Sequence, residues 1–123
     1  MNNCFIILAA GESKRFKSKI PKPYYLYRGK PLFLHSLDKA KKSNKFQKIV
    51  LVINKKHRKF LRKIKLKNVK IIIGGKNRSE SSLKALKSII NSKISKVFIH
   101  DAARPNFSLK PLKMTQIDFS RQL

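Results

Sequence analysis

The chain has 123 residues, 41% of them hydrophobic, and its 31 lysine and arginine residues outnumber 5 aspartate and glutamate residues to give a formal net charge of +26. This length suits a single domain with one modest core. No run approaches the roughly 18 consecutive apolar residues that span a bilayer, and no charged leader precedes the first apolar run, which predicts a soluble cytoplasmic protein. Cys4 is the only cysteine, which excludes an intrachain disulfide and a zinc-binding thiol cluster and predicts a buried structural thiol.

The net charge raises a nucleic-acid hypothesis, because clustered Lys and Arg neutralise phosphates. The lysines are nevertheless scattered between apolar positions, through residues 39–48, 55–70 and 84–96. A lysine-rich coding bias with solvated helix faces explains this distribution at least as well as a nucleic-acid groove does. Both interpretations stay open, and in either case the field attracts polyanions, including nucleoside triphosphates.

Four short runs rich in Ile, Val and Phe predict buried strands, at residues 4–8, 49–53, 69–73 and 97–99. Between the first two runs, Phe33, Leu37 and Ala40 have helical spacing, and Pro31 stands where the first turn of that helix would begin. The segment 55–67 carries Phe60 among many basic residues, and it predicts a second, cationic helix with a narrow apolar stripe.

A further helix is predicted after the third strand. Asn77, with Glu80 three residues later, has the spacing of a capping box, and it precedes an apolar stripe. That stripe consists of Leu83, Leu86, Ile89 and Ile90.

The alternation of strands and helices predicts an α/β fold, with a doubly wound, mostly parallel sheet and helices on both faces. Ligands bind beyond the carboxyl ends of the strands in such sheets, which selects the loops at residues 9–22, 74–82 and 101–105. We expect the domain to cover residues 1–105. Residues 106–123 contain no recognisable strand and are expected to form a partial helix or an irregular tail, which would leave the fourth strand with an exposed edge.

The first loop has the composition of a phosphate site. Ala9, Ala10 and Gly11 are small and follow a strand directly, so their backbone N–H groups can approach phosphates closely. Arg15 and Lys22 supply cations for the charge that develops on a phosphorus atom under attack. A tight turn with solvated basic residues is the alternative.

These residues carry a family resemblance. Leu-Ala-Ala-Gly at positions 8–11, with Arg15 and Pro21-Lys22, is similar to the signature of the Rossmann-like sugar-phosphate nucleotidyltransferases. The string Gly-Gly-Lys-Asn-Arg-Ser-Glu-Ser-Ser at positions 74–82 resembles the Gly-Gly, Arg and Ser spacing of that group. The string His-Asp-Ala-Ala-Arg-Pro at positions 100–105 resembles the hallmark of the 2-C-methyl-D-erythritol 4-phosphate cytidylyltransferase family. Ribitol-5-phosphate cytidylyltransferases share much of the pattern and are the nearest competitors.

The resemblance implies transfer of CMP from CTP to methylerythritol 4-phosphate with release of pyrophosphate, in isoprenoid precursor biosynthesis. It also implies Mg²⁺ as the divalent metal and a homodimer. By matching positions, it assigns transition-state stabilisation to Arg15 and Lys22, and it places Asp101 beside the ribose and the metal-bound triphosphate. The remaining nucleotide contacts implied by the match are Ala9, Ala10, Gly11, Gly75, Ser81 and Ala102.

Several features depart from the family pattern. Ser13 replaces a glycine of the first loop, Glu12 adds a negative charge there, and Lys76 stands where the family often has an acidic residue. Family members are also roughly twice as long. A basic polyanion-binding module without enzyme activity therefore remains an alternative, and a cap on the following turn is the structural alternative for Asp101.

Overall fold

The computed structural model describes residues 2–11 and 20–102, together with the backbone of residues 115–118. The two 3-10 helices are Lys22–Tyr24 and Lys55–Leu61. The other elements, in chain order, are β1 (Asn3–Ala9), β2 (Leu26–Tyr27), β3 (Lys30–Pro31), α1 (Leu32–Ser43), β4 (Lys48–Ile53), β5 (Lys70–Ile73), α2 (Arg78–Ser88), β6 (Lys96–Asp101) and β7 (Thr115–Asp118).

The main sheet has five strands in the order β5-β4-β1-β6-β7, while β2 and β3 form a separate hairpin. Strands β5, β4, β1 and β6 run parallel to one another, and β7 is antiparallel to β6. Every residue of β1 is buried, because β1 is central and both of its faces are covered. The mostly parallel sheet that the sequence predicts is confirmed.

The side chains of β1 divide the core between the two faces of the sheet, since successive side chains of a strand point in opposite directions. Phe5 and Ile7 pack with Phe33 and Leu37 of α1. On the other face, a second cluster of buried residues joins β1 to α2. It contains Cys4, Ile6 and Leu8 of β1, Ala85 of α2 and Ile89, the C-cap of that helix. Helices therefore cover both faces, as predicted.

Helix α1 follows the prediction. It begins after Pro31 and ends at Asn44, which adopts the left-handed conformation with φ 56°. Its predicted apolar stripe, Phe33, Leu37 and Ala40, is buried. The predicted burial of Cys4 is confirmed as well, and burial raises the pKa of the Cys4 thiol to about 12.

Helix α2 confirms its predicted start but corrects its predicted stripe. The Asn77 side chain accepts a hydrogen bond of 2.8 Å from the Glu80 N–H. The helix faces the sheet with small residues, Ser81 and Ala85, which allow close packing. Leu83 points away from that face and is 50% exposed, and Ile90 lies beyond the end of the helix at 49% exposed, so the prediction that both belong to the buried stripe was wrong.

Two other expectations were also wrong. The segment that follows β4 forms a 3-10 helix, Lys55–Leu61, in place of a longer helix over 55–67; Phe60 still packs partly buried against the core. The tail contains a strand, since β7 pairs with residues 96–99 of β6 and covers the edge that was expected to be exposed. Its sequence, Thr-Gln-Ile-Asp, has no apolar run, and its backbone pairs with β6.

Across residues 2–11 and 20–102, no helix combines the length and the apolar character needed to cross a bilayer.

Candidate nucleotide site

A cavity of about 570 Å³ lies at the carboxyl edge of the sheet, where ligands bind in doubly wound folds. Residues at or just after the ends of β1, β4, β5 and β6 line it. They are Leu8, Ala10, Gly11, Asn54, Lys56, Gly75, Lys76, Asn77, Arg78, Ser81 and Asp101. The three loops selected from the sequence therefore meet at one site, together with a fourth loop that follows β4.

The wall after β5 depends on two glycines. A Cβ at Gly74 would lie 2.6 Å from the Ser81 Oγ and 2.7 Å from the Ala10 Cβ, distances that no side chain tolerates. A Cβ at Gly75 would collide with the Glu80 side chain. The Gly75 N–H donates a hydrogen bond of 3.0 Å to the Ser81 Oγ, and Ser81 is 3% exposed. Ser81 therefore holds the Gly-Gly turn against α2 and still has a hydroxyl proton to donate.

The first loop reaches the cavity at its second and third small residues. Ala10 and Gly11 line the cavity, whereas Ala9 belongs to the core cluster on the α1 face and is 1% exposed. The Ala10 carbonyl accepts a hydrogen bond of 3.1 Å from the Asn54 Nδ2. The loop is therefore tied to the neighbouring strand just before it enters the residues that the structure leaves undescribed.

Asp101 ends β6 and lines the cavity as an exposed side chain. The next residue, Ala102, has no exposed surface and donates its N–H to the Leu8 carbonyl at 2.9 Å. This bond continues the β1–β6 register, in which Leu8 pairs with Asp101. The bond from Ala102 thus holds the backbone next to Asp101 against the end of β1. His100 is buried, and its ring lies 5.9 Å from that of Phe5, centroid to centroid.

Of the two predicted catalytic cations, Lys22 is the one that lies within the described residues. Lys22 is half-buried at the start of the 3-10 helix Lys22–Tyr24 and does not line the cavity. Arg15 lies outside the described residues, as do Glu12, Ser13 and Arg104. The structure therefore brings together Ala10, Gly11, Gly75, Ser81 and Asp101 and keeps Ala9, Lys22 and Ala102 off the cavity lining.

Asn54 and Lys56 were missed by the sequence analysis. They follow β4, whose carboxyl end reaches the same sheet edge as that of β1. The rule that selected the other three loops applied equally to this one, so the available signal was Asn54 directly after a predicted strand.

The cavity favours anions. Among the described residues, three cationic side chains line it, Lys56, Lys76 and Arg78, against one carboxylate, Asp101. Helix α2 begins at Arg78 behind its Asn77 cap, so its N-terminus adds partial positive charge at the same wall.

A divalent metal fits this donor set only as a cation shared with phosphates. Within residues 2–11 and 20–102, no group of three His, Cys, Asp or Glu side chains is arranged to hold an ion. Of the described residues that line the cavity, Asp101 is the one that carries a carboxylate. Mg²⁺ commonly binds through one or two carboxylates plus substrate phosphates and keeps its other ligands as water.

The mostly parallel sheet, the glycine turn and the cavity at the carboxyl edge together define a doubly wound α/β protein whose cavity has a cationic lining. Comparison with known proteins narrows this class. The sequence profile of the family described as 2-C-methyl-D-erythritol 4-phosphate cytidylyltransferase, IspD, matches residues 3–118. The chain belongs to this family.

Relatives agree with this assignment. The chain is 66% identical over 112 residues to the bifunctional enzyme IspD/IspF of Pelagibacter ubique, covering 91% of this chain and 30% of that protein. It is 37% identical over 123 residues to 2-C-methyl-D-erythritol 4-phosphate cytidylyltransferase of Thermosipho melanesiensis, covering 95% of this chain and 53% of the relative. The chain thus spans between about a third and a half of the length of these relatives.

Solved structures show the same fold. The bifunctional IspDF of Campylobacter jejuni superposes with a TM-score of 0.75 at 32% identity, over 89% of this chain and 28% of that one. The 2-C-methyl-D-erythritol 4-phosphate cytidylyltransferase of Francisella tularensis gives a TM-score of 0.68 at 33% identity, over 89% and 48%.

Proposed function

We propose that the cavity binds CTP and that the chain takes part in transferring CMP from CTP to methylerythritol 4-phosphate, with release of pyrophosphate, in isoprenoid precursor biosynthesis. The observation that carries this proposal is the meeting of Ala10, Gly11, Gly75, Ser81 and Asp101 at one cationic cavity. The family match supports methylerythritol 4-phosphate over ribitol 5-phosphate as the acceptor. Because CTP is an intracellular nucleotide, we place the reaction in the cytoplasm.

The nucleotide is assigned to the cavity by the chemistry of its walls. Backbone N–H groups of the first loop, at Ala10 and Gly11, are assigned to the phosphates, which the cationic lining attracts, whereas Ala9 lies off the cavity lining. The Gly75 backbone and the Ser81 hydroxyl are assigned to the cytosine, because fixed hydrogen-bond partners distinguish one base from another. Asp101 is assigned to the ribose and to the metal.

The transfer itself needs position and charge more than covalent chemistry. A phosphate oxygen of the acceptor attacks the α-phosphorus of CTP in line, the bond from that phosphorus to the bridging oxygen breaks, and pyrophosphate leaves. Lys22 and Arg15 are proposed to stabilise the negative charge that builds on the phosphorus. When bound, Mg²⁺ held by Asp101 and the phosphates would draw off part of the charge on the leaving group. The homodimer and the second-substrate contacts stay predictions.

Replacing Asp101 tests the assignment of the cavity. We expect Asp101→Ala to weaken MgCTP binding about tenfold, because a charged hydrogen-bond partner and a metal ligand are lost. Asp38→Ala is the matched control, since Asp38 pairs with Lys30 at 2.6 Å on α1, away from the cavity. Isothermal titration of both variants decides the point, and equal affinities for the two would contradict the assignment.

The nonenzymatic polyanion binder predicts a different pattern. Such a module ignores the base and loses affinity steeply as salt rises, because its affinity comes from released counterions. The titration is therefore repeated with ATP and at two salt concentrations. Binding that is equal for CTP and ATP would support the polyanion module and refute the proposed site.

Lys22→Ala separates chemistry from binding. We expect the variant to lose CMP transfer, measured as labelled CMP incorporated into methylerythritol 4-phosphate, while MgCTP binding remains measurable. The reason is that a transition-state contact contributes to kcat more than to ground-state affinity. Transfer at the wild-type rate would overturn the role assigned to Lys22.

A further inference from the structure

Asn54 joins the end of β4 to the first loop of the cavity. It follows Ile53, which pairs with Ala9 in the parallel register of β1 and β4. The next residues along the two strands, Asn54 and Ala10, therefore come together at the sheet edge. There the Asn54 Nδ2 donates its hydrogen bond of 3.1 Å to the Ala10 carbonyl, across 44 residues of sequence.

The other end of the Asn54 amide is also engaged. Its Oδ1 accepts a hydrogen bond of 2.9 Å from the Lys56 N–H and so caps the 3-10 helix Lys55–Leu61. These two bonds define the orientation of the amide, because the oxygen must face the Lys56 donor and the nitrogen must face the Ala10 acceptor. A half-buried side chain held at both ends is a fixed part of the cavity wall.

The bond to Ala10 sets the direction of the next N–H group. The C=O and N–H groups of a trans peptide point to opposite sides, so a carbonyl drawn toward Asn54 turns the Gly11 N–H away from Asn54. Gly11 lines the cavity, and among the described residues no heavy atom beyond its chain neighbours lies within 4 Å of the position a Cβ would take there. The Gly11 backbone is therefore approachable by a ligand.

The loop that follows β4 also carries a cation to the site. Lys56, two residues after Asn54, lines the cavity along with Gly11. The Asn54 side chain thus orients the Gly11 N–H on the first loop and caps the start of the loop that carries Lys56. A backbone donor and a cation both suit an anionic ligand.

We infer that Asn54 is a positioning residue for the phosphate groups of the bound nucleotide. It holds the peptide between Ala10 and Gly11 so that the Gly11 N–H donates to a phosphate oxygen, and it sets the loop from which Lys56 meets the same phosphates. The inference rests on the proposed function and adds a loop that none of the family motifs includes.

The test separates the bridge to Ala10 from the helix cap. Asn54→Ser keeps a good cap without changing charge, because Ser and Asn are comparable N-caps, but its shorter side chain cannot also reach the Ala10 carbonyl. Asn54→Ala loses both bonds, and Asn91→Ala, at an exposed position outside the cavity lining, is the control. MgCTP and inorganic pyrophosphate are the two probes, titrated into the 123-residue chain.

We expect Asn54→Ser and Asn54→Ala to lower the affinity for both probes about fivefold, which is the equivalent of one net hydrogen bond. We expect Asn91→Ala to bind both probes as tightly as the wild type does. The Gly11 amide resonance should shift on addition of pyrophosphate in the wild type and stay in place in Asn54→Ser. Wild-type affinity in Asn54→Ser would overturn the inference, because the cap alone would then explain Asn54.

Pyrophosphate distinguishes this inference from the proposed function. If the wild type binds pyrophosphate and does not prefer CTP to ATP, the proposed function fails, while the Asn54 variants still test the phosphate wall. If the wild type binds neither probe, both are refuted.

Discussion

Gly74 is enclosed by three elements of the site, and adding one methyl group there tests whether the cavity is built as described. A Cβ at this position would lie 2.6 Å from the Ser81 Oγ on α2, 2.7 Å from the Ala10 Cβ in the first loop and 3.0 Å from the Val52 Cγ1 on β4. None of these atoms is the end of a long flexible side chain. The methyl group of Gly74→Ala must therefore move α2, the first loop or β4.

Overpacking of this kind costs about 1 to 3 kcal/mol of stability. For a chain of this length, 1 kcal/mol corresponds to about 4 °C, so the unfolding midpoint should fall by about 4 to 12 °C. Differential scanning calorimetry without nucleotide measures the shift. Binding of MgCTP should weaken in the same variant, because displaced Ser81 and Ala10 both line the cavity.

Gly11→Ala is the matched control for stability. A Cβ at Gly11 would meet no heavy atom of the described residues within 4 Å, and the φ of Gly11 lies outside the left-handed region. Removing a glycine from the unfolded chain without native strain leaves the midpoint unchanged or slightly raised. Equal midpoints for Gly74→Ala and Gly11→Ala would refute the close packing of the glycine turn.

Three further predictions follow from single contacts. Asn77→Ala should destabilise the chain by about 1 kcal/mol in urea unfolding through loss of the α2 cap, whereas Asn77→Asp should retain the cap; equal loss in both variants would contradict it. Burial raises the pKa of Tyr24 from 10.0 to about 12, so the unfolded chain loses this proton first and the contribution of Tyr24 to stability, complete below pH 10, declines as pH rises toward 12. Within the described residues the Tyr24 hydroxyl has no hydrogen-bond partner, so Tyr24→Phe should be at least as stable as the wild type at neutral pH and should show a smaller decline above pH 10. The Cys4 thiol, with its pKa raised to about 12, should resist Ellman's reagent in the folded chain near about pH 8 and react in guanidinium; rapid reaction without denaturant would contradict its burial.

The central strands were predictable because their signal is local. Buried parallel strands need continuous apolar runs, and β1 and β4 contain them, as Phe5 to Leu8 and Ile49 to Ile53 show. Strand β7 and the hairpin of β2 and β3 carry no such run. The hairpin turns at Arg28 and Gly29, both with positive φ, and its strands have two residues each, too few for any periodicity to appear.

Some features of the candidate site were likewise predictable from the sequence, and others were not. The glycine turn and the acidic end of β6 were predictable, because Gly75 and Asp101 belong to short strings that directly follow predicted strands. The place of Asn54 directly after a predicted strand was an equal signal for its position at this edge, but its bond to Ala10 was not predictable, because that bond depends on β4 lying beside β1 with Ile53 opposite Ala9. That pairing joins residues 44 apart, and no local pattern records it.

Thermal unfolding of the 123-residue chain with MgCTP, with MgATP and with Mg²⁺ alone, at near-physiological salt, tests the proposed function most directly. A ligand that binds only the folded state must raise the unfolding midpoint. At a concentration of a hundred times its Kd, such a ligand adds about 2.7 kcal/mol to the free energy of unfolding. The proposed site predicts a clear rise with CTP and a smaller one with ATP. Equal shifts with both triphosphates, or no shift with either, would contradict the assignment of this cavity to CTP.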